Sequence, residues 1–178
     1  MTNAIPLGSI CHFTALTTRA NVYQSRCNGG EPIKKRVWQH VVKDKIREQA
    51  RLLKENDYET QAKQLVRIVD EVRSGDTTNR EAHAARLYFA TLFGSGFSRE
   101  NDLPINAALN YGYSILLSLV NREITARGVI TQVGICHRNE YNQFNLACDL
   151  MEPFRPAVDR LVIEHMTGEF DAGVRRVL

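Results

Sequence analysis

Hydrophobic positions recur at helical intervals through most of this chain, and strand-like alternation is nearly absent. Val37, Trp38, Val41, Val42, Ile46 and Leu53 draw one apolar stripe, which predicts a helix over residues 32–53. Ala62, Leu65, Val66, Val69 and Val72 predict a second over residues 59–72, ended by the turn Ser74-Gly75-Asp76. Ala84, Ala85, Tyr88, Phe89 and Leu92 mark the inner face of a third, which starts after Thr78 and stops at Gly94. A fourth begins near Pro104, a favoured first-turn residue, and reaches Arg127, with Gly128 just past its cap. A fifth covers about residues 144–166. Pro153 and Pro156 fall inside it, and because neither has an amide donor they predict a kink or a break.

Only Val129-Ile130-Thr131-Gln132-Val133 has β-forming character, and residues 1–30 carry no sustained period. The expected fold class is all-α, with an irregular segment over residues 1–30 and one helical domain over residues 31–178. Residues 171–178 are amphipathic, and the chain stops within that pattern rather than at a turn, so a truncated end is expected.

Charge changes this picture more than composition does. The net charge is only +3, but residues 1–54 hold ten Lys/Arg against three Asp/Glu, and the remainder holds thirteen against seventeen. Lys34, Lys35, Arg36, Lys43, Lys45, Arg47 and Arg51 put most of the excess on the first helix. Such a helix either meets a polyanion or presents a solvated face. The four cysteines, Cys11, Cys27, Cys136 and Cys148, include no C-x-x-C pair, which argues against a structural zinc site or a thioredoxin-type motif. Free thiols in a reducing cytoplasm are the expectation. No basic segment followed by an apolar run opens the chain, and Asn106, Asn110 and Ser114 interrupt its most apolar stretch, so neither a signal peptide nor a membrane span is expected.

The candidate chemistry lies in residues 134–160, GICHRNEYNQFNLACDLMEPFRPAVDR. His137 falls in a polar loop. Asp149 and Glu152, three residues apart on a helix, project from one face. Two carboxylates and an imidazole suit a hard or borderline divalent ion such as Mg²⁺ or Mn²⁺. The competing reading pairs Glu152 with Arg155 on the helix surface and leaves His137 a bystander. Glu81 has its own local explanation, since Thr78-Asn79-Arg80-Glu81 fits a capping box in which the glutamate reaches back to the cap amide. Phosphate-loop, dinucleotide-binding and nucleophile-elbow motifs are all missing from the sequence.

Three segments, SGDTTNREAHAARLYF (74–89), INAALNYGYSILL (105–117) and residues 134–160, resemble in order and spacing the helical catalytic domain of the CRISPR-associated spacer-acquisition integrase, or endonuclease. The variant is most similar to that of type II systems, and KKRVWQHVVKDKIREQARLL (34–53) fits the helix before the catalytic core. The resemblance covers about residues 30–178. It implies a prokaryotic cytoplasmic enzyme whose Mg²⁺ or Mn²⁺ is held by Glu81, His137 and Glu152, with Asp149 as an accessory carboxylate and Tyr111 near the site. It implies joining of 3′-hydroxyl ends of short duplex DNA to a CRISPR repeat by phosphoryl transfer. Lys34, Lys35, Arg36, Lys43 and Arg47 would then contact DNA phosphates, with Tyr111 also against the DNA. The implied partners are double-stranded DNA, a second copy in a homodimer, and the small subunit of the adaptation complex. Family members start with a β-rich domain, which is expected to be missing here or reduced to a remnant in residues 1–30. The alternative expectation is therefore an inactive helical DNA-binding or assembly fragment of the same family.

Overall fold

A computed structural model describes residues 30–166 and 168–178. The irregular segment expected up to residue 30 lies, apart from Gly30, outside the described residues, as do Cys11 and Cys27. The described residues form helices and turns without a strand, as the hydrophobic pattern predicts.

Helix α1 (Glu31–Glu55) begins with Pro32 in its first turn and runs through the centre of the molecule. It packs against α2 (Glu59–Glu71), the 3₁₀ turn Ser74–Asp76, α3 (Arg80–Phe93), and the segments that follow α4 (Pro104–Ala126). These segments are α5 (Asn145–Met151), the 3₁₀ turn Glu152–Phe154 and α6 (Arg155–His165), while α7 (Ala172–Val177) packs against α4 and α6. Val42, Ile46, Leu53, Leu65, Ala84, Leu109 and Val162 are sealed from solvent, so the predicted stripes are the core. Burying such a side chain stabilises by roughly 1.5–3 kcal/mol for the larger ones. One stripe residue differs: Val66 is 53% exposed, and Ile68 takes the inward position on α2.

Residues 129–133, the run with β-forming character, form no strand, in keeping with the all-α expectation; their polar groups bond to the start of α5 and the loop before it. The Thr131 carbonyl accepts from Leu146 N–H at 2.9 Å, and the Thr131 hydroxyl donates to the Gln143 carbonyl at 2.7 Å. The Thr78–Glu81 capping box does not form. Asn79 stands at the cap of α3 with φ 51°, and Asp76 caps the helix, accepting from Arg80 N–H at 2.9 Å and Glu81 N–H at 3.0 Å. The Glu81 carboxylate is thereby released for a distant partner.

The predicted fifth helix breaks at its prolines. Pro156 has no N–H to give the Glu152 carbonyl, so the Arg155 N–H takes it and the chain tightens into a 3₁₀ turn. Glu152 is the first residue of that turn, between α5 and α6. Helices α4 and α6 cross where Gly112 leaves no room for a side chain, since a Cβ there would lie 2.4 Å from Val158 Cγ1. Buried Asp159 on α6 accepts hydrogen bonds from the hydroxyls of Tyr88 on α3 and Tyr113 on α4, joining three helices. Burial pushes its carboxyl up to about 6, although both hydroxyls and the guanidinium groups of Arg155 and Arg99 pull the other way.

Candidate functional site

The centre of the site is a lysine that the sequence offers only as one more basic residue. Lys45 projects from α1 into the protein, its side chain 11% exposed. Its Nζ donates to Glu81 Oε1 and to Glu152 Oε2, each at 2.6 Å, so those two oxygens lie within 5.2 Å of one another. Glu81 arrives from the first turn of α3, where Asp76 fixes the helix start, and Glu152 from the proline break. The other Glu152 oxygen accepts from Arg155 at 2.9 Å, the i,i+3 pair expected on local grounds. Burial opposes charge on Lys45, but Glu152 and Glu81 outweigh it and raise the ammonium above its ordinary pKa.

Asp149 points elsewhere. It is fully buried and receives the loop before α5: Ile135 N–H at 2.5 Å, Cys136 N–H at 3.0 Å and His137 N–H at 3.2 Å. His137 Nδ1 lies 2.5 Å from Asp149 Oδ1. Gly134 makes this wrapping possible, because a Cβ there would sit 2.3 Å from the His137 carbonyl oxygen and 2.9 Å from Asp149 Oδ2. Asp149 and Glu152 therefore do not share one point, although a regular helix would put them on one face. Asp149 orients His137, with the hydrogen bond raising the imidazole pKa against partial burial, helped by the charges of Asp149, Glu152 and Glu81. Burial and the charges of Asp149 and Glu81 push the neighbouring Cys136 thiol up, away from a reactive thiolate.

Among the described residues, no three His, Cys, Asp or Glu side chains are gathered into a metal-holding group. The donor types nonetheless fit a divalent ion. Glu81 and Glu152 already converge on one cation, the Lys45 ammonium, and His137 has its Nδ1 engaged, which is how ligating imidazoles are usually oriented.

The basic residues of α1 separate into distinct roles. Lys34 donates to the Gly134 carbonyl at 3.3 Å and so holds the His137 loop, while the Trp38 ring meets the His137 ring edge-on at 6.0 Å. Arg138 in that loop pairs with Glu31. An open groove with Lys34, His137, Arg138 and Asn139 on its walls has a volume of about 510 Å³. Lys35, Arg36 and Lys43 line another groove of about 640 Å³ with Arg73, alongside Glu31 and Asp70; it holds none of Glu81, His137 or Glu152. Exposed Arg47 pairs with Asp44 at 2.7 Å. Tyr111 stacks near Phe170, with ring centroids 5.5 Å apart, rather than at the carboxylates. The tyrosine linked to the site is Tyr113, whose ring lies 4.8 Å from the guanidinium of Arg155, the partner of Glu152. The sequence signals missed here are Lys45, an ionic residue at the edge of a buried stripe, and Asp76 in the turn before α3. Among the described residues no helix is long and apolar enough to cross a membrane.

Comparison with known proteins matches this helical body. The family described as "CRISPR associated protein Cas1" matches residues 2–169. A CRISPR-associated endonuclease Cas1 of Neisseria meningitidis is 40% identical over 179 residues, covering 98% of this chain and 59% of that protein. A Cas1 endonuclease of the archaeon Pyrobaculum aerophilum is 34% identical over 115 residues, covering 60% of this chain and 39% of that protein. Among solved structures, a chain of a "Cas6-RT-Cas1--Cas2 complex" superposes with a TM-score of 0.65 at 27% identity, covering 76% of this chain and 17% of that one. The chain thus spans about three-fifths of its Neisseria relative, its described residues carry a helical architecture without strands, and it belongs to the Cas1 family of CRISPR-associated proteins.

Proposed function

We propose that this chain carries the catalytic part of a divalent-metal-dependent DNA endonuclease and integrase, which joins 3′-hydroxyl ends of short duplex DNA to a CRISPR repeat during spacer acquisition. The observation that supports this most is the meeting of Glu81 and Glu152, 71 positions apart by their numbers, on one cation 2.6 Å from each. Glu81, Glu152 and the free nitrogen of His137 would hold Mg²⁺ or Mn²⁺. Bound there, the ion would polarise the scissile phosphodiester and offset its developing negative charge.

The chain's own residues prepare that site. Asp149 accepts from Nδ1 of His137, which keeps the proton on that nitrogen and turns the Nε2 lone pair outward. Arg155 holds one oxygen of Glu152 and leaves the other facing Lys45. Lys35, Arg36, Lys43 and Arg73 give duplex phosphates a salt-dependent, sequence-independent contact. The implied partners are double-stranded DNA, a second copy of the chain, and a small subunit equivalent to the Cas2 of the structural neighbour.

The test is Mn²⁺-dependent nicking or strand transfer on a repeat-containing duplex. Glu81→Ala, His137→Ala and Glu152→Ala each abolish it; normal activity in all three refutes the reading. A second reading, a non-catalytic DNA-binding or assembly fragment, is favoured by Lys45 standing where the ion would bind. It predicts salt-sensitive duplex binding without metal-stimulated turnover.

A further inference from the structure

We propose that Lys45 is a built-in counter-ion, which holds the position a divalent metal would take between Glu81 and Glu152 and must leave it when the metal binds. This rests on the metal reading given above. Unlike Lys35, Arg36 and Arg47 on the same helix, which are exposed, Lys45 is turned inward. A buried ammonium is costly unless it is paired, and its two ion-pair partners are Glu81 and Glu152. Without it, those two carboxylates would face each other across a poorly solvated gap.

The oxygens it holds, Glu81 Oε1 and Glu152 Oε2, are those a divalent ion would take. The second Glu152 oxygen is already committed to Arg155. An ammonium 2.6 Å from each oxygen and a dication between the same two oxygens cannot coexist, so metal binding is an exchange of cations. Lys45 holds the two carboxylates together without the ion, and having to displace it weakens the hold on the metal. The exchange also sets a threshold, because binding improves when a further ligand such as a DNA phosphate joins the ion.

The experiment uses the full chain with Lys45→Met, which keeps an unbranched apolar stem out to Cε and removes the ammonium. Mn²⁺ affinity is measured by calorimetry, and thermal unfolding is followed in EDTA and in saturating Mn²⁺. The expected result is tighter Mn²⁺ binding by at least about tenfold, with a melting temperature lowered in EDTA and recovered by Mn²⁺. Equal or weaker binding by the variant, with the wild type binding normally, overturns the inference and leaves the metal reading standing. If neither protein binds Mn²⁺ or Mg²⁺, both fall. Should the variant fail to fold, the wild-type Lys45 side-chain NH₃⁺ resonance is followed by NMR during Mg²⁺ titration. Its loss or large shift at saturation supports exchange, and an unchanged resonance overturns it.

Discussion

Asp149→Asn is the most direct probe of how the site is assembled. The substitution keeps the shape of the side chain but replaces one acceptor oxygen with an NH₂ group. In the wild type one oxygen takes Ile135 N–H at 2.5 Å and Cys136 N–H at 3.0 Å, and the other takes His137 N–H at 3.2 Å and His137 Nδ1 at 2.5 Å. Turned toward Ile135 and Cys136, the new NH₂ faces two N–H donors and both hydrogen bonds are lost; turned toward His137 it loses the His137 N–H bond and keeps the ring only if the imidazole moves its proton from Nδ1 to Nε2 and accepts at Nδ1. Hydrogen bonds to a charged group contribute about 1.5–3 kcal/mol each, and an orphaned buried donor costs about 1–3 kcal/mol. Because these terms describe the same contacts from two sides, and the amide takes the less costly orientation, the expected net loss is about 2–4 kcal/mol rather than their sum. That is a large share of the roughly 5–15 kcal/mol that holds a domain folded, yet short of abolishing the fold. Urea unfolding followed by far-UV circular dichroism gives the loss, and amide exchange at Ile135 and Cys136 gives its location. Metal affinity is expected to fall about 10–100-fold as His137 loses its orientation. A change below about 1 kcal/mol, with the two amides still protected, would refute the assignment of Asp149 as the residue that holds the histidine loop.

Other predictions concern the scaffold around the site. Gly112→Ala puts a Cβ 2.4 Å from Val158 Cγ1 and is expected to cost about 1–3 kcal/mol in urea unfolding, with Val158→Ala in the same chain recovering part of it. Asp76→Ala removes the cap of α3 and is expected to cost about 1 kcal/mol; it also weakens Mn²⁺ binding, because the first turn that carries Glu81 loosens. Asp159 titrates at about 6 in the folded protein against an ordinary 3.8. Between those values the folded state holds a proton that the unfolded chain has lost, so this contribution is full below the lower value and is lost as pH rises through about 6. From pH 4.5 to 7.5, Asp159→Asn is therefore expected to gain about 2 kcal/mol relative to the wild type, read from urea midpoints across that range.

How much of this was legible in the sequence differs between fold and site. The α1 stripe from Val37 to Leu53, the stop at Gly94, the start at Pro104 and the break at Pro153 and Pro156 could all be read by position, because each depends on a residue and its near neighbours. The Glu152–Arg155 pair was legible for the same reason. The Thr78–Glu81 capping box was also local, and there the local rule failed: Asp76, reaching Arg80 and Glu81 N–H from the preceding turn, took the amides instead.

The sequence by itself determined which faces are apolar, where helices start and stop, and which residue types could do chemistry. Only the tertiary structure decided which of them meet. Lys45 reaches Glu81 across 36 positions and Glu152 across 107, and Lys34 reaches the Gly134 carbonyl across 100. Asp149 and Glu152, nearly adjacent in sequence, serve different partners because distant segments pack beside each, the His137 loop at Asp149 and Lys45 of α1 at Glu152. Periodicity records how each helix divides its surface between core and solvent. It carries no information about how two helices are rotated against each other, and that rotation places an ammonium between two carboxylates.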